Sequence, residues 1–265
     1  MKSTLAKNIY LKNKSYKRKH RRGNRANKKN MNVNSITVIG ANCAGLKPKL
    51  PTFKKVISDL EPGLFFLQET KMRVAGQFQL EGYKIFEQVR ETLSVGRGGV
   101  GGGLALGCLS VLKPVLVRDG GNTVEALSII ITVRQMKIRC CVAYGCQEYD
   151  KSEKKEAFWN FLNEEVTAAL QEGQGFLLQF DGNLWCGDQL LPGDPRKQNR
   201  NGKMFSNFLK ENNLNLINAL EICEGSITRQ RDLNNGRKEE SILDFYVVCD
   251  RLLPHVSKMI VDERK

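Results

Sequence analysis

Beyond residue 34 the chain alternates short apolar runs with longer amphipathic stretches. SITVIGANC, residues 35–43, is rich in β-branched residues and reads as a strand. In LPTFKKVISDLEPG, the residues Leu50, Phe53, Val56, Ile57 and Leu60 share one helical face, and Pro62-Gly63 ends the helix. LFFLQET reads as a buried strand running into Glu69, and GYKIFEQV as another. GRGGVGGG reads as a linker loop ahead of LALGCLSVL, because it lacks the Lys-Ser/Thr of a phosphate-binding loop. TVEALSIIITV and KIRCCVAYG form two strands, with a hairpin through Arg134-Gln135. Residues 152–172 make the longest helix, with Phe158, Phe161, Leu162, Val166, Ala169 and Leu170 as its core stripe. GFLLQFD is a strand, and GKMFSNFLKENN a helix with Phe205, Phe208 and Leu209 inward. NLNLINAL, GSITRQ, SILDFYVV and SKMIV complete the set. Strands and helices intermixed in this way predict an α/β or α+β domain with large sheets, a single unit over residues 35–265.

Polar residues recur where the apolar runs stop. Asn42 follows VIGA, Glu69 follows LFFLQ, Tyr144 follows CCVA, Asp181 and Asn183 follow LLQF, and Asp244 lies within SILDFYVV. Strand-end loops on a rigid scaffold are common places for sites. Positions i and i+2 of a strand face the same way, so Asp181 and Asn183 can address one ligand together. The same spacing also fits a plain Asx turn. Carboxylates and amides without clustered histidine or thiolate are hard oxygen ligands, suited to Mg²⁺ or Mn²⁺. Metal-assisted phosphodiester hydrolysis is a reaction that needs such a set.

Charge changes the picture at the N-terminus. The net charge is +14, yet residues 1–30 hold 12 Lys or Arg and no acid, leaving 30 basic against 28 acidic residues elsewhere. Residues 1–34 therefore read as a basic disordered tail, densest in KRKHRRGNR, residues 17–25. Such an arm either binds polyanions or directs nuclear import, or is merely solvated. The eight cysteines form no CxxC pair, and with His20 and His255 alone they make no zinc pattern. Most lie in apolar runs as small hydrophobes, pointing to a reducing compartment, nuclear or cytoplasmic. No apolar run approaches the ~20 residues that span a bilayer, and no secretory h-region follows the N-terminus.

Taken in order, the motifs resemble those of the endonuclease/exonuclease/phosphatase superfamily, closest to LINE-type retrotransposon endonuclease domains, which are similar to apurinic/apyrimidinic endonucleases. The similarity runs from about Ser35 to Asp262. The Asn-x-x-Gly-Leu element appears as Asn42 to Leu46, Gln-Glu-Thr as Gln68-Glu69-Thr70, and Tyr-x-x-Gln as Tyr144 to Gln147. Gly-Asp-Phe-Asn appears as Phe180-Asp181-Gly182-Asn183, Thr-Arg as Thr228-Arg229, and Ser-x-x-Asp-Tyr as Ser241 to Phe245. The resemblance implies a four-layer α/β sandwich, two packed mixed sheets flanked by helices, with the site at one rim. It implies Mg²⁺ (or Mn²⁺) on Glu69 and Asp262, and Asp181 as the acid that orients or deprotonates water. Asn183, Tyr144, Asp244 and Asn42 complete the catalytic set, with substrate contacts from Thr228, Arg229 and Gln147. The implied activity is nicking of DNA (or RNA), with a downstream reverse transcriptase in a larger element as partner and no membrane.

Phe245 stands in place of the family tyrosine, and three further positions depart from the family pattern. Phe180 replaces the glycine before the acid, and Ala44 stands where some relatives carry a second acidic ligand. Val261-Asp262-Glu263 occupies the place of the closing Ser-Asp-His, so Glu263 replaces the histidine. His255, seven residues before Asp262, reads as an unrelated surface residue. The resulting expectation is a metal-dependent endonuclease weakened by that loss. The alternatives are a catalytically impaired nucleic-acid-binding relic, or a phosphatase of the same superfamily.

Overall fold

The computed structural model describes residues 35–90, 102–194, 196–232 and 238–261, and the strand Lys7–Leu11; at residues 7–11 and 230–239 nothing is described beyond the strand backbone. The strands are numbered β1 to β15 along the chain. A seven-stranded sheet holds Lys7–Leu11 (β1), Ile36–Asn42 (β2), Leu64–Gln68 (β3), Tyr83–Gln88 (β4), Leu104–Leu109 (β5), Cys223–Glu224 (β11) and Val256–Val261 (β15). Its order is β11-β15-β1-β2-β3-β5-β4. A six-stranded sheet holds Val115–Asp119 (β6), Ala126–Val133 (β7), Met136–Tyr144 (β8), Gly175–Asp181 (β9), Leu214–Leu216 (β10) and Asp244–Cys249 (β14), in the order β10-β14-β9-β8-β7-β6. Arg229–Asp232 (β12) and Lys238–Ser241 (β13) pair as a separate hairpin.

Both sheets are mixed. The parallel pairs β2/β3 and β8/β9 are joined by helices, Leu50–Leu60 (α1) and Ser152–Gln171 (α2), as parallel crossovers require. The third helix is Arg200–Glu211 (α3). Helix α1 covers the seven-stranded sheet: Phe53 and Ile57 cluster with Ile39, Phe65 and Leu67. Trp159 of α2 and Phe205 of α3 cover the other sheet, Phe205 lying 5.1 Å from Phe180 of β9. The alternate residues of each strand face the opposite sheet, so the architecture is the expected four-layer α/β sandwich. Among the described residues, no helix is long and apolar enough to cross a membrane.

The structure corrects four local expectations. Lys7–Leu11, placed in the tail by sequence, pairs with both β2 and β15; KNIYL carries the aromatic and β-branched residues that a strand favours, and the surrounding charge hides them. Strand β6 is not among the expected strands: its apolar run is only Val115-Leu116-Val117, without polar alternation, and all three are exposed on an edge strand. Leu170 is exposed, and Trp159 takes its place in the α2 stripe. SILDFYVV is not one strand: Ser241 ends β13, and Asp244 begins β14. Of GRGGVGGG, residues 96–101 lie outside the described residues.

Candidate active site

The strand ends converge because their registers align. Tyr144 at the end of β8 pairs with Asp181 at the end of β9, and Asp181 pairs with Asp244 at the start of antiparallel β14. On the other sheet, Asn42 at the end of β2 pairs with Gln68 at the end of β3, and Glu69 follows. Asp181 shares a strand face with Gln179, Asp244 with Tyr246, and Asn42 with Gly40. The rim is thus the top layer of the space between the sheets.

Hydrogen bonds close the rim across that space. Asn42 Nδ2 donates to Glu69 Oε1 at 2.9 Å and to Asp181 Oδ2 at 2.7 Å. Tyr144 Oη donates to Glu69 Oε1 at 3.1 Å, and Gln147 Nε2 reaches Tyr144 Oη at 3.5 Å. The backbone N–H of Asn183 donates to Asp181 Oδ1 at 3.2 Å, and Asn183 Nδ2 to the Gly145 carbonyl at 2.9 Å. The Asx turn therefore exists, and it also orients the acid.

The layer beneath is polar too. Gln68 donates to Gln179 across the sheets, both fully buried. Gly40 admits this contact: a Cβ there would stand 2.4 Å from Tyr246 Oη and 2.8 Å from Gln179 Cδ.

Backbone strain gathers at the same place. Glu69 has φ 48° and Asn183 φ 46°, in the left-handed region. Asparagine tolerates it, but glutamate does so at a steric penalty that its surroundings must overcome. The surroundings here are a backbone zipper. Gly45 N–H donates to the Glu69 carbonyl, Leu46 N–H to Thr70, and Thr70 N–H to Gly103, at 2.8–3.0 Å. Glu69 is thereby turned toward Asn42 and Tyr144. Lys71 Nζ stands 3.9 Å from Glu69 Oε2. Burial, then the charges of Asp181 and Glu69, push the Tyr144 hydroxyl well above its ordinary pKa. It keeps its proton and can act as a donor.

Of the residues picked out from sequence, Asn42, Glu69, Tyr144, Gln147, Asp181, Asn183 and Asp244 come together at this rim. Thr228 differs from expectation. It is buried, and its Oγ1 accepts from the Leu243 N–H at 2.7 Å and the Asp244 N–H at 3.2 Å. It holds the start of β14 and does not face solvent. Arg229 is exposed, one residue on in β12. Asp262 and Glu263 lie outside the described residues; β15 runs toward the rim and ends at Val261, level with Lys7 and Gly40. His255 precedes the opposite end of β15, which is level with Ile36. The six residues of β15 span ~20 Å, so His255 is remote from the site. Phe180 does not intrude on the rim. It faces the helices, 5.4 Å from Phe245, the residue that replaces the family tyrosine. These two departures pack against each other.

The donor set fits a hard divalent cation. Magnesium typically takes one or two carboxylates and fills its shell with water and substrate phosphate. Glu69 and Asp181, on either side of the Asn42 amide, offer that. Among the described residues no group of three or more His, Cys, Asp or Glu could form an all-protein cage. Sequence reasoning missed Trp185 and Arg196 beside the rim; the signal was a tryptophan two residues beyond Asn183 in a loop.

No protein-family model and no curated protein matches the sequence. Solved structures do match. The endonuclease domain of TRAS1, a telomere-specific non-LTR retrotransposon, aligns at TM-score 0.56 and 16% identity, over 86% of this chain and 99% of that one. The 3'-5' exonuclease NExo from Neisseria meningitidis aligns at 0.60 and 17%, over 81% and 87%. The AP endonuclease LMAP from Leishmania major aligns at 0.61 and 15%, over 81% and 79%. The chain has the endonuclease/exonuclease/phosphatase fold. At these identities the likeness speaks for the fold alone; the rim residues carry any argument about chemistry.

Proposed function

We propose that the chain is a divalent-metal-dependent phosphodiester hydrolase, a DNA endonuclease of retroelement origin. One observation carries this reading: a single amide, Asn42 Nδ2, bridges carboxylates delivered by both sheets, with the Tyr144 hydroxyl on one of them. The TRAS1 domain, spanned over 99% of its length, supports the retroelement origin. Glu69, with Asp181 beside it and Asp262 by resemblance, would hold Mg²⁺ or Mn²⁺. The bound cation would supply Lewis-acid stabilisation of charge on the phosphate.

The chain's own residues perform the rest. Asp181, oriented by Asn42 and by the Asn183 N–H, takes the proton of the attacking water. The water oxygen bonds to phosphorus as the ester P–O bond breaks, and the leaving oxygen departs with the bonding pair and takes a proton from solvent. The single O–H of Tyr144, turning from Glu69 to the substrate, and the second N–H of the Asn183 amide donate to the phosphate oxygens, where charge develops. Arg229 neutralises backbone phosphate, with the basic N-terminal segment as a second contact.

A second reading keeps the fold and loses the reaction, leaving a nucleic-acid-binding relic. It is favoured by Glu263 at the family histidine's position and by the distance of His255. Incubating the protein with supercoiled plasmid and Mg²⁺, beside a Glu69→Gln variant, separates the two. Nicking by the parent and none by the variant supports the hydrolase; binding without nicking in both supports the relic.

A further inference from the structure

Among the described residues the exposed aromatic side chains are Tyr149 and Trp185, and both lie on loops that leave the candidate rim. Trp185, 44% exposed, follows Asn183 by two residues. It is held with more precision than a surface loop needs. Its N–H donates to Asn199 Oδ1 at 3.1 Å, and its carbonyl accepts from the Asn199 N–H at 3.3 Å. The start of α3 presses on it so closely that a Cβ on Gly202 would stand 1.9 Å from the Trp185 carbonyl oxygen. The indole is fixed as well. The Arg196 guanidinium lies over the ring, its carbon 5.3 Å from the centroid. That guanidinium is itself held by Asp194 Oδ1 and the Ile242 carbonyl, both at 3.3 Å. No other aromatic ring among the described residues stacks on Trp185. The neighbouring loop is tied to the same anchor: Asn199 Nδ2 donates to Glu148 Oε2 at 2.5 Å, and the next residue is Tyr149, 86% exposed.

We propose that Trp185 is a stacking platform for an unpaired base of single-stranded DNA lying beside the phosphate at the rim. This rests on the phosphodiesterase reading above and adds the strandedness of the substrate. A rigid indole with one face backed by a cation offers its other face to a flat, weakly polar group. A nucleobase is such a group, and it is attached to the phosphodiester that the rim residues address. In a duplex the base faces are already covered by neighbouring pairs, so a platform of this kind selects an unstacked strand. Arg196 adds cation–π polarisation of the indole and positive charge near the strand.

The chain's two tryptophans make the test direct. Trp159 is buried against Phe158 and Phe208, so its emission is shielded, whereas that of Trp185 is open to a stacked base. The full chain in EDTA is titrated with oligothymidylate, with emission and the anisotropy of a labelled strand read in parallel. The expected result is quenching that tracks binding. Trp185→Ala, its fold checked by circular dichroism, should bind the single strand on the order of 5- to 100-fold more weakly, while duplex binding stays nearly unchanged. Trp185→Phe should restore most of the affinity. The inference is overturned if the strand binds without quenching, if Trp185→Ala binds it like the parent, if duplex binding falls equally, or if an oligoribonucleotide is preferred. Any of these leaves the nuclease reading standing, whereas no binding of any nucleic acid would overturn both.

Discussion

Asn42 donates a 2.7 Å hydrogen bond to Asp181, 139 residues away in the chain and on the opposite sheet. The same nitrogen serves Glu69 at 2.9 Å, so one neutral amide separates two carboxylates that would otherwise repel. Asn42→Asp removes the donor and adds a third carboxylate. Like charges raise the pKa of such a group, and the stability it permits is then lost as pH rises through that pKa. The variant should therefore be less stable than the parent by about 1–3 kcal/mol at pH 7.5, with the gap narrowing near pH 4. Urea midpoints at the two pH values check this; an equal gap at both would mean that repulsion is not the cause.

Asp181→Asn keeps the size of the side chain and its register with Tyr144 and Asp244, but it removes the proton acceptor. Nicking should fall at least ~10²-fold, the scale of general base catalysis, while oligonucleotide affinity changes little. A loss of only a few-fold in single-turnover assays would reduce Asp181 to a turn former.

Sequence made the rim legible where strand polarity does the work. Asn42, Glu69, Tyr144 and Asp181 each follow an apolar run, and a run that ends in a polar residue announces its own boundary. Large sheets in an α/β or α+β domain were legible by the same route, since β3 and β9 read as continuous buried strands, whereas the four-layer sandwich followed only from the family resemblance. What failed were features without a local signal. The β6 edge strand exposes its apolar residues, and β1 is embedded among lysines and arginines. Thr228 was assigned to substrate, but whether a hydroxyl faces water or two backbone N–H groups depends on residues 243 and 244, which no spacing rule brings to it. Trp185 was passed over because its importance rests on Asn199 and Arg196, contacts made by the fold.

Thr228 is better tested as a positioning residue. Thr228→Val leaves the Leu243 and Asp244 N–H groups without their acceptor in a buried place, a loss of about 1–3 kcal/mol. Thr228→Ser retains the oxygen and should recover most of that. Denaturant unfolding of both variants decides; equal stability in Val and Ser would mean that the hydroxyl bonds are not worth keeping.

The cysteines predict an alkaline limit to stability. Burial raises the Cys108 and Cys186 thiols from 9.0 to about 12, and Cys146 to about 11. In the unfolded chain these groups ionise near 9. Their neutral, buried form therefore contributes stability that is full below pH 9 and is lost as pH climbs toward 11–12. Melting temperature should fall steadily above pH 9. In the native protein at pH 8 a thiol reagent should label the half-buried Cys223 first, and rapid labelling of Cys108 or Cys186 would contradict the packing around them.

The basic N-terminal segment must be tested without disturbing the sheet. Deleting residues 1–30 would also remove Lys7–Leu11, which sits between β2 and β15, and any loss of binding would then have two causes. Replacing the six Lys and Arg of residues 17–25 with serine avoids this, because β1 keeps its sequence. If those residues neutralise phosphates, each contact contributes a slope of about −0.9 in log K against log salt on duplex DNA, so the slope should flatten by up to ~5. Affinity should weaken alike for every sequence, since phosphate contacts carry no base information. A salt titration in which parent and variant keep the same slope would show that this stretch does not touch DNA, and would leave Arg229 and the rim to account for binding.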